Sequence, residues 1–373
     1  MTRNIGNRIG SSINSPNDSV DSGLFNTLRY YNLRKKNIFD GSVDLPASIA
    51  PQTYTPGDGY TYVIFTGSDQ FNITGIGRLF HYMVVGGGGG SHDGPNIGGG
   101  SGGGGGGAVR QGEIYLEKGL VTITIGAGAP DDYRWKPNGS PSSLIFYNTK
   151  IGNLNSIMTK IESPGGGRGG KYNPQEYTGY DVTPGGCGGG GAAYPSSWDG
   201  PIWRQGGNST NYPDGGGKDG GYGGTNYKHG GGGGGGAGSS GGTGGQWSST
   251  VYGGGDGGNG VAYEYSPAIP NSFGEESGSD KYFAGGGGGG IGYGPISSPQ
   301  AWWQIPSSGG LGGGGDGYGD TWPYSSGQNG TINTGGGGGG GFGPQYTPTV
   351  STTVPNASSG GSGITIIRYK TNL

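Results

Sequence analysis

This chain of 373 residues has a single cysteine, a small net charge and no long apolar run. The single cysteine, Cys187, excludes an intramolecular disulfide, and the glycines around it favour a small packed residue over a reactive thiol. A formal net charge of -3 provides no basic face, so we expect no nucleic-acid partner. The sequence has no apolar run of about 18 residues, so we expect no membrane insertion. The first residues lack the apolar core of a signal peptide, and we expect any export to use another route.

Glycine is the abundant residue, with 101 of the 373 positions, and it occurs in blocks between apolar strands. Collagen requires glycine at every third position without interruption, so this block pattern excludes a collagen triple helix. Uninterrupted glycine suits the polyproline II conformation, which has about three residues per turn and no internal hydrogen bonds. In a packed array the backbone groups must therefore bond to neighbouring helices. We predict a bundle of polyglycine II helices.

Disorder is the alternative interpretation of so much glycine, because ordering glycine costs more backbone entropy than ordering any other residue. The sequence between the glycine blocks argues against it. Those segments carry most of the 25 tyrosines and 7 tryptophans, whereas disordered segments are poor in aromatic residues.

Apolar alternation predicts strands at residues 60–66, 71–73, 81–85, 113–116, 121–125, 143–147, 156–161 and 364–369. A set of about seven strands is enough for a small sandwich. The last strand follows a long glycine-rich region, so the chain must return to its first layer. The predicted fold class is mainly β with non-α glycine helices. It comprises a small antiparallel β-sandwich base that supports a layered bundle of about ten polyglycine II helices.

The N-terminal part of the chain is polar and separate from this pattern. Residues 1–17 show no apolar periodicity, while Asp21 and Ser22 can cap a short helix that ends near Arg34. We interpret this part as a docking arm for a larger assembly, and an ordinary solvated leader is the alternative. The candidate docking residues are Arg3, Arg8, Phe25, Tyr31 and Arg34.

Four regions follow from these patterns. They are a docking region at residues 1–53, a sandwich base with the first two glycine helices at residues 54–164, a helix bundle with aromatic connections at residues 165–362, and the returning strand at residues 363–373.

We count ten glycine blocks, with two in the first excursion from the sheet and eight in the second; residues 230–245 and residues 309–319 are among them. Both numbers are even, although merging the two blocks that flank Tyr227 would reverse the parity of everything that follows. Antiparallel succession then places every second connection far from the sheet. These far connections are residues 91–97, 171–184, 225–229, 261–284 and 320–334.

Aromatic residues in the far connections are the candidates for contact with a receptor. They are Tyr172, Tyr177, Tyr180, Tyr227, Tyr263, Tyr265, Phe273, Trp322 and Tyr324. Flat rings beside polar groups suit sugars, and capping of the glycine bundle is the alternative role. The same parity places Trp198, Trp203, Trp247, Trp302 and Trp303 in near connections, where we expect them to cap the bundle.

Each candidate motif for catalysis or for cofactor binding lacks a residue or a spacing that it requires. We therefore expect no enzyme activity, no cofactor and no metal. Residues 165–171 fit the first part of a phosphate-binding loop, but Tyr172 stands where a serine or threonine should hold the metal. The three histidines, His81, His92 and His229, are too scattered to indicate a metal site or a catalytic base.

The junctions between strands and glycines carry a family resemblance. Residues 83–86, 102–116, 122–128 and 363–369 together resemble the glycine-rich domain of tailed-phage tail fibre and minor tail proteins, in particular the polyglycine-sandwich adhesins at fibre tips. The resemblance covers residues 54–373. It implies layered glycine helices whose free-end loops contact a bacterial surface receptor, often an outer-membrane protein or lipopolysaccharide.

The resemblance implies a virion structural protein located in a phage tail, either a tail fibre or a fibre-tip adhesin. Its expected partners are other tail or fibre proteins, reached through the N-terminal region, and a host receptor that is a glycan or an outer-membrane protein. A homotrimer is among the assemblies that the sequence leaves open. The structural alternative is a non-adhesive decoration or baseplate-associated protein with a rigid glycine spacer. Ice binding needs a flat face of short, regularly spaced residues, and the irregular aromatic connections argue against it.

Overall fold

The computed structural model describes residues 43–45, 51–74, 77–92, 100–130, 138–148, 158–170, 186–193, 206–209, 217–224, 230–248, 251–291, 303–318, 327–341 and 358–371. In this part of the chain the fold is mainly β, and its two larger sheets are antiparallel throughout. Helix is limited there to a short 3-10 turn, η1 (Ser266–Ala268). The predicted fold class is therefore confirmed at the level of a mainly β protein with antiparallel sheets.

The strands are β1 (Val43–Asp44), β2 (Gln52–Tyr54), β3 (Tyr60–Phe65), β4 (Asp69–Ile73), β5 (Arg78–Val85), β6 (Val109–Leu116), β7 (Gly119–Thr124), β8 (Ser142–Asn148), β9 (Met158–Ser163), β10 (Gly245–Ser248), β11 (Val251–Gly253), β12 (Val261–Ala262), β13 (Glu275–Ser277), β14 (Asp280–Phe283), β15 (Trp303–Ile305) and β16 (Ile364–Lys370).

Two five-stranded sheets pack face to face as a sandwich. The first sheet has the strand order β2-β3-β16-β5-β6, and the second has the order β1-β4-β7-β8-β9. Phe71 on β4 contacts Phe65 on β3 and Phe80 on β5, with ring centroids 6.0 and 6.1 Å apart. Val121, Ile123 and Leu144 of the second sheet join the same buried cluster. Apolar side chains between the sheets therefore hold the layers together.

The C-terminal strand β16 lies in the middle of the first sheet, between β3 and β5. The predicted return of the chain to its first layer is confirmed. Its side chains serve both faces, since Ile364 and Ile366 belong to the cluster on one side of the sheet and Ile367 and Tyr369 to the cluster on the other.

The sandwich begins earlier in the chain than the sequence predicts. β1 and the first two residues of β2 fall within residues 1–53, yet β1 pairs with β4 and β2 pairs with β3. The alternation in these two strands is too short to be recognised from the sequence, which explains the missed boundary.

The sandwich has two distinct ends. β5 ends at Val85, directly before the first glycines, so the glycine-rich segments extend from that end. The opposite end, here called the outer end, contains the pairs between Val43 of β1 and Ile73 of β4 and between Ile73 and Gly119 of β7. β1, the first described strand, therefore begins at the outer end.

Extended glycine-rich segments make up most of the described structure outside the sandwich. They are residues 86–92, 100–108, 126–130, 138–141, 164–170, 186–193, 206–209, 217–224, 230–237, 240–245, 253–260, 284–291, 307–311, 313–318, 327–331, 335–341 and 358–363. We call the end of these segments that is remote from the sandwich the distal end. It is marked by Ser91, Ser101 and Ser358.

Hydrogen bonds between these segments repeat every three residues. The N–H groups of residues 102–104 donate in turn to the segments 164–170, 230–237 and 335–341, and residues 105–107 repeat that order, with N···O distances of 2.8 to 3.0 Å. The segments 86–92, 186–193 and 284–291 donate to carbonyl groups of the same central segment. The segment 100–108 is thus bonded to neighbours all around it.

Two predicted blocks each contain a reversal. The block at residues 230–245 turns back where Gly236 donates to the carbonyl of Ser239. The block at residues 309–319 turns at Gly312 and Gly313, whose φ angles are 105° and 87°. Glycine adopts such angles without steric cost, so these turns leave no signal in a glycine-rich sequence. The predicted block boundaries were wrong at both places.

The alternation of direction also fails between the segments 164–170 and 186–193. Gly186 donates to Gly165 beside the sandwich, and Ala193 donates to Gly100 at the distal end. Both segments therefore lead away from the sandwich. The prediction of strict antiparallel succession was wrong, and with it the assignment of connections by parity.

Residues 261–284 lie at the sandwich and not at the far end, where parity placed them. They form η1 and a small antiparallel sheet of order β12-β14-β13. Phe273 and Phe283 pack on the face of the first sheet that carries Tyr62, Ile64 and Met83. We call residues 261–284 the sandwich module.

Candidate functional site

Three of the predicted receptor residues belong to the sandwich module and are covered by the sheet. Tyr263 and Phe273 are only 3% and 4% exposed. Tyr265 donates or accepts a hydrogen bond at its hydroxyl, which lies 2.9 Å from Nδ1 of His81 on β5. Their predicted position on a free loop was wrong, because the parity count reversed the direction of the preceding segment.

The guanidinium group of Arg368 on β16 joins the sandwich module to the sheet. Its Cζ atom lies 3.5 Å from the ring centroid of Tyr60 and 3.8 Å from that of Tyr265. A cation stacked between two rings is attracted by both π systems, and the attraction is stronger where water is excluded. Arg368 is 8% exposed. The cluster is built to hold two parts of the fold together.

Phenol groups around this cluster are kept neutral. Burial raises the pKa of Tyr62, and its hydroxyl donates to Asp58 Oδ2 at 2.6 Å. Burial also raises the pKa of Tyr263 above the usual range. A phenol with a raised pKa is a poor base at neutral pH, so these groups fit a structural role.

Cys187 lies inside the glycine-rich segments and is fully buried. Its thiol is 3.4 Å from the carbonyl oxygen of Gly107, and burial raises its pKa from the usual 9.0 to about 12. The prediction that Cys187 is a small packed residue is confirmed by this position.

We expect Cys187 in the folded protein to resist alkylation. At pH 8 the raised pKa leaves roughly a thousandfold less thiolate than an exposed thiol would have, and burial blocks the reagent. Labelling with iodoacetamide should therefore be at least about 100-fold slower in the folded protein than in urea. Equal labelling rates in the two conditions would contradict the buried position.

The distal end is closed by serine side chains. Ser101 Oγ donates to the carbonyl of His92 at 2.7 Å and accepts from Gly341 N at 2.7 Å. Ser91 Oγ accepts from Ser358 N at 3.0 Å. Backbone groups at the ends of packed segments lack a neighbour, and these hydroxyls supply the missing partners. The distal end is thus an ordered platform.

A three-stranded sheet of order β10-β11-β15 also belongs to the distal end. β10 and β11 are antiparallel, and β11 and β15 are parallel. The backbones of Trp247 and Trp303 lie on these strands. Parity placed both residues near the sandwich, so that prediction was wrong.

No family model matches the chain, and a comparison with curated proteins gives no match. Within the described ranges there is no group of three or more side chains suited to hold a metal ion. No helix among the described residues is long and apolar enough to cross a membrane.

Two of the seven tryptophans can be placed. Trp247 and Trp303 lie on β10 and β15 at the distal end, where Ile291 is also bridged to Gly230. Trp135, Trp198, Trp203, Trp302 and Trp322 lie outside the described residues. The sequence confines the tryptophans to the intervals between glycine blocks, but the wrong block boundaries assigned Trp247 and Trp303 to the opposite end.

Most other predicted site residues lie outside the described residues. These are Tyr172, Tyr177, Tyr180, Tyr227, Trp322 and Tyr324 among the receptor candidates and Arg3, Arg8, Phe25, Tyr31 and Arg34 among the docking candidates. The segments that flank Tyr227 meet at the distal end, where Gly224 donates to Gly230. Trp322 and Tyr324 are likewise flanked by segments whose adjacent ends are distal, as Gln328 shows by donating to Asp316.

Proposed function

We propose that the glycine-rich segments are polyglycine II helices and that they form a layered bundle on the sandwich. The three-residue repeat of donors along the segment 100–108 supports this proposal, because a helix with about three residues per turn points every third N–H group the same way. The packing of glycine against glycine supports it too. A Cβ atom at Gly104 would lie 2.1 Å from the carbonyl oxygen of Gly89.

We further propose that the protein is a virion component of a tailed bacteriophage, a tail fibre or fibre-tip adhesin. The proposal rests on the resemblance of the strand-to-glycine junctions and on one structural observation. β1, the first described strand, begins at the outer end of the sandwich, whereas β10 and β15, which carry Trp247 and Trp303, lie at the distal end. An adhesin needs this polarity, with attachment to the particle at one end and recognition at the other.

The chemistry of the distal connections suits a bacterial surface receptor, either a glycan or an outer-membrane protein. Tryptophan and tyrosine offer large, rigid contact surfaces, and aromatic residues dominate the binding energy of many interfaces. Loops on a rigid scaffold can change without unfolding it. Tyr263, Tyr265 and Phe273 are removed from the proposed contact set because the sandwich covers them.

The test is binding of the labelled full-length protein to a panel of bacterial hosts. We expect host-restricted binding by the native sequence and at least about tenfold weaker binding when Trp322 and Tyr324 are both replaced by alanine, since buried aromatic anchors carry much of an interface's energy. Ile332→Ala is the matched control. Ile332 is 71% exposed on a bundle turn beside the sandwich.

Two results would overturn the adhesin proposal. One is an absence of binding to every host of the parent virus, which would favour the non-adhesive spacer. The other is equal loss of binding in the control variant, because recognition would then not belong to the distal end.

A further inference from the structure

Three Asn-Gly pairs occur in this sequence, at Asn138, Asn259 and Asn329, and all three lie in glycine-rich segments. Asn-Gly is the dipeptide most prone to deamidation, because glycine leaves its backbone nitrogen unhindered. Asn259 and Asn329 are exposed, so solvent reaches both side chains. Their rate of deamidation depends on the hydrogen bonds that each asparagine and the glycine after it make with a neighbouring segment.

At Asn329 one residue of the next segment binds both reacting groups. Asn329 Oδ1 accepts from Ser359 N at 2.9 Å, and Gly330 N donates to Ser359 O at 2.9 Å. The side-chain amide and the following backbone N–H are thus tied to the same residue.

Asn259 repeats this arrangement on another side of the bundle. Asn259 Oδ1 accepts from Leu311 N at 3.0 Å, and Gly260 N donates to Leu311 O at 2.6 Å. Asn138 differs, because Arg168 N donates to its Oδ1 at 3.2 Å while Gly139 N donates to Gly166 O.

Deamidation needs both groups to be free. The nitrogen of the glycine loses its proton and attacks Cγ of the asparagine, the Cγ–N bond of the amide breaks and ammonia leaves. Water then opens the cyclic imide to aspartate or isoaspartate. In the paired geometry the glycine N–H is held by a carbonyl oxygen, and the asparagine side chain is bonded to a neighbouring segment instead of lying over that nitrogen.

We propose that Asn259 and Asn329 are latent deamidation sites that the contact with Leu311 and Ser359 protects. The reaction then requires local opening of the two segments that carry these residues, 253–260 and 327–331. Isoaspartate lengthens the backbone by one carbon and breaks the three-residue repeat, so each event makes the opening permanent. The extent of deamidation at the two residues therefore reports how often these two segments open.

The experiment is incubation of the full-length protein at mildly alkaline pH, followed by peptide mass spectrometry and an isoaspartate assay. We expect deamidation at Asn259 and Asn329 to be at least about tenfold slower in the folded protein than in urea, because two hydrogen bonds must open first. Equal rates in the two conditions would overturn the proposal.

The variant Ser359→Pro sharpens the test. Proline removes the N–H that Asn329 accepts and keeps the carbonyl that Gly330 N reaches, so deamidation should accelerate at Asn329 while Asn259 in the same molecule stays slow. Leu311→Pro is the reciprocal variant, with Asn259 accelerated and Asn329 unchanged. If a variant accelerates neither site, the proposal fails. If Ser359→Pro unfolds the chain, both sites accelerate, and Leu311→Pro and the comparison with urea decide.

Discussion

Gly104→Ala is expected to disrupt the glycine-rich part of the fold. The added Cβ would lie 2.1 Å from the carbonyl oxygen of Gly89, far inside van der Waals contact. That oxygen belongs to the backbone of a packed segment, so it cannot rotate away. Gly104 also donates to Gly338 and accepts from Gly287, both at 2.8 Å, and any shift that relieves the clash weakens these bonds. We expect the free energy of unfolding to fall by more than about 3 kcal/mol.

Gly67→Ala is the matched control for this substitution. Gly67 is exposed, and a Cβ there would meet nothing within 4 Å. We expect a change within about 0.5 kcal/mol, since surface substitutions away from special backbone positions are close to neutral. Urea denaturation followed by tryptophan fluorescence measures both variants. A destabilisation of similar size in the two would show that the packing of backbone against backbone does not limit the segment 100–108.

Sequence reasoning succeeded where side chains carry the signal. The alternation in residues 364–369 predicted the returning strand, and β16 lies between β3 and β5 as a central strand. The core residues Phe65, Phe71 and Phe80 fall in or beside predicted strands for the same reason. Apolar residues at a spacing of two specify which face of a strand is buried.

The direction of the glycine-rich segments could not be predicted from the sequence. A reversal at Gly312 and Gly313 looks in the sequence like uninterrupted helix, because both residues adopt positive φ freely. The earlier missed reversal, between Gly236 and Ser239, inverts the predicted direction of the segments that follow it, and this error placed Trp247 and Trp303 at the wrong end. A useful signal was present in Asp256 and Asn259. They are spaced by three within a glycine block and cap Ser308 and Leu311, which are spaced by three as well.

The sandwich module was missed for a different reason. Tyr263, Tyr265 and Phe273 alternate with polar residues and read as an exposed loop with aromatic rings. Tyr263 and Phe273 are instead buried against the first sheet, and Tyr265 is half-buried. Tyr265 is held there by Arg368, more than 100 residues later in the chain, which places a cation between Tyr60 and Tyr265. A contact over that distance in sequence has no local signature.

Removal of β16, by ending the chain after Gly363, is expected to abolish the native fold. Ile364, Ile366, Ile367 and Tyr369 are almost fully buried, and burying one such side chain contributes about 1.5–3 kcal/mol. Together they match the whole stability of a typical domain, about 5–15 kcal/mol. The deletion also leaves β3 and β5 with unpaired edges in the middle of a sheet.

A chain that ends at Thr371 keeps the whole strand and is the control for this truncation. Circular dichroism and protease digestion should show a folded control and an unfolded, rapidly cleaved truncation. A synthetic peptide of residues 363–371 should restore part of the protection, because the slot between β3 and β5 is defined by backbone pairing on both sides and by two buried clusters. If the truncated chain resists protease as well as the control, the glycine-rich segments hold their arrangement without the sandwich. The sandwich would then not be needed to order these segments.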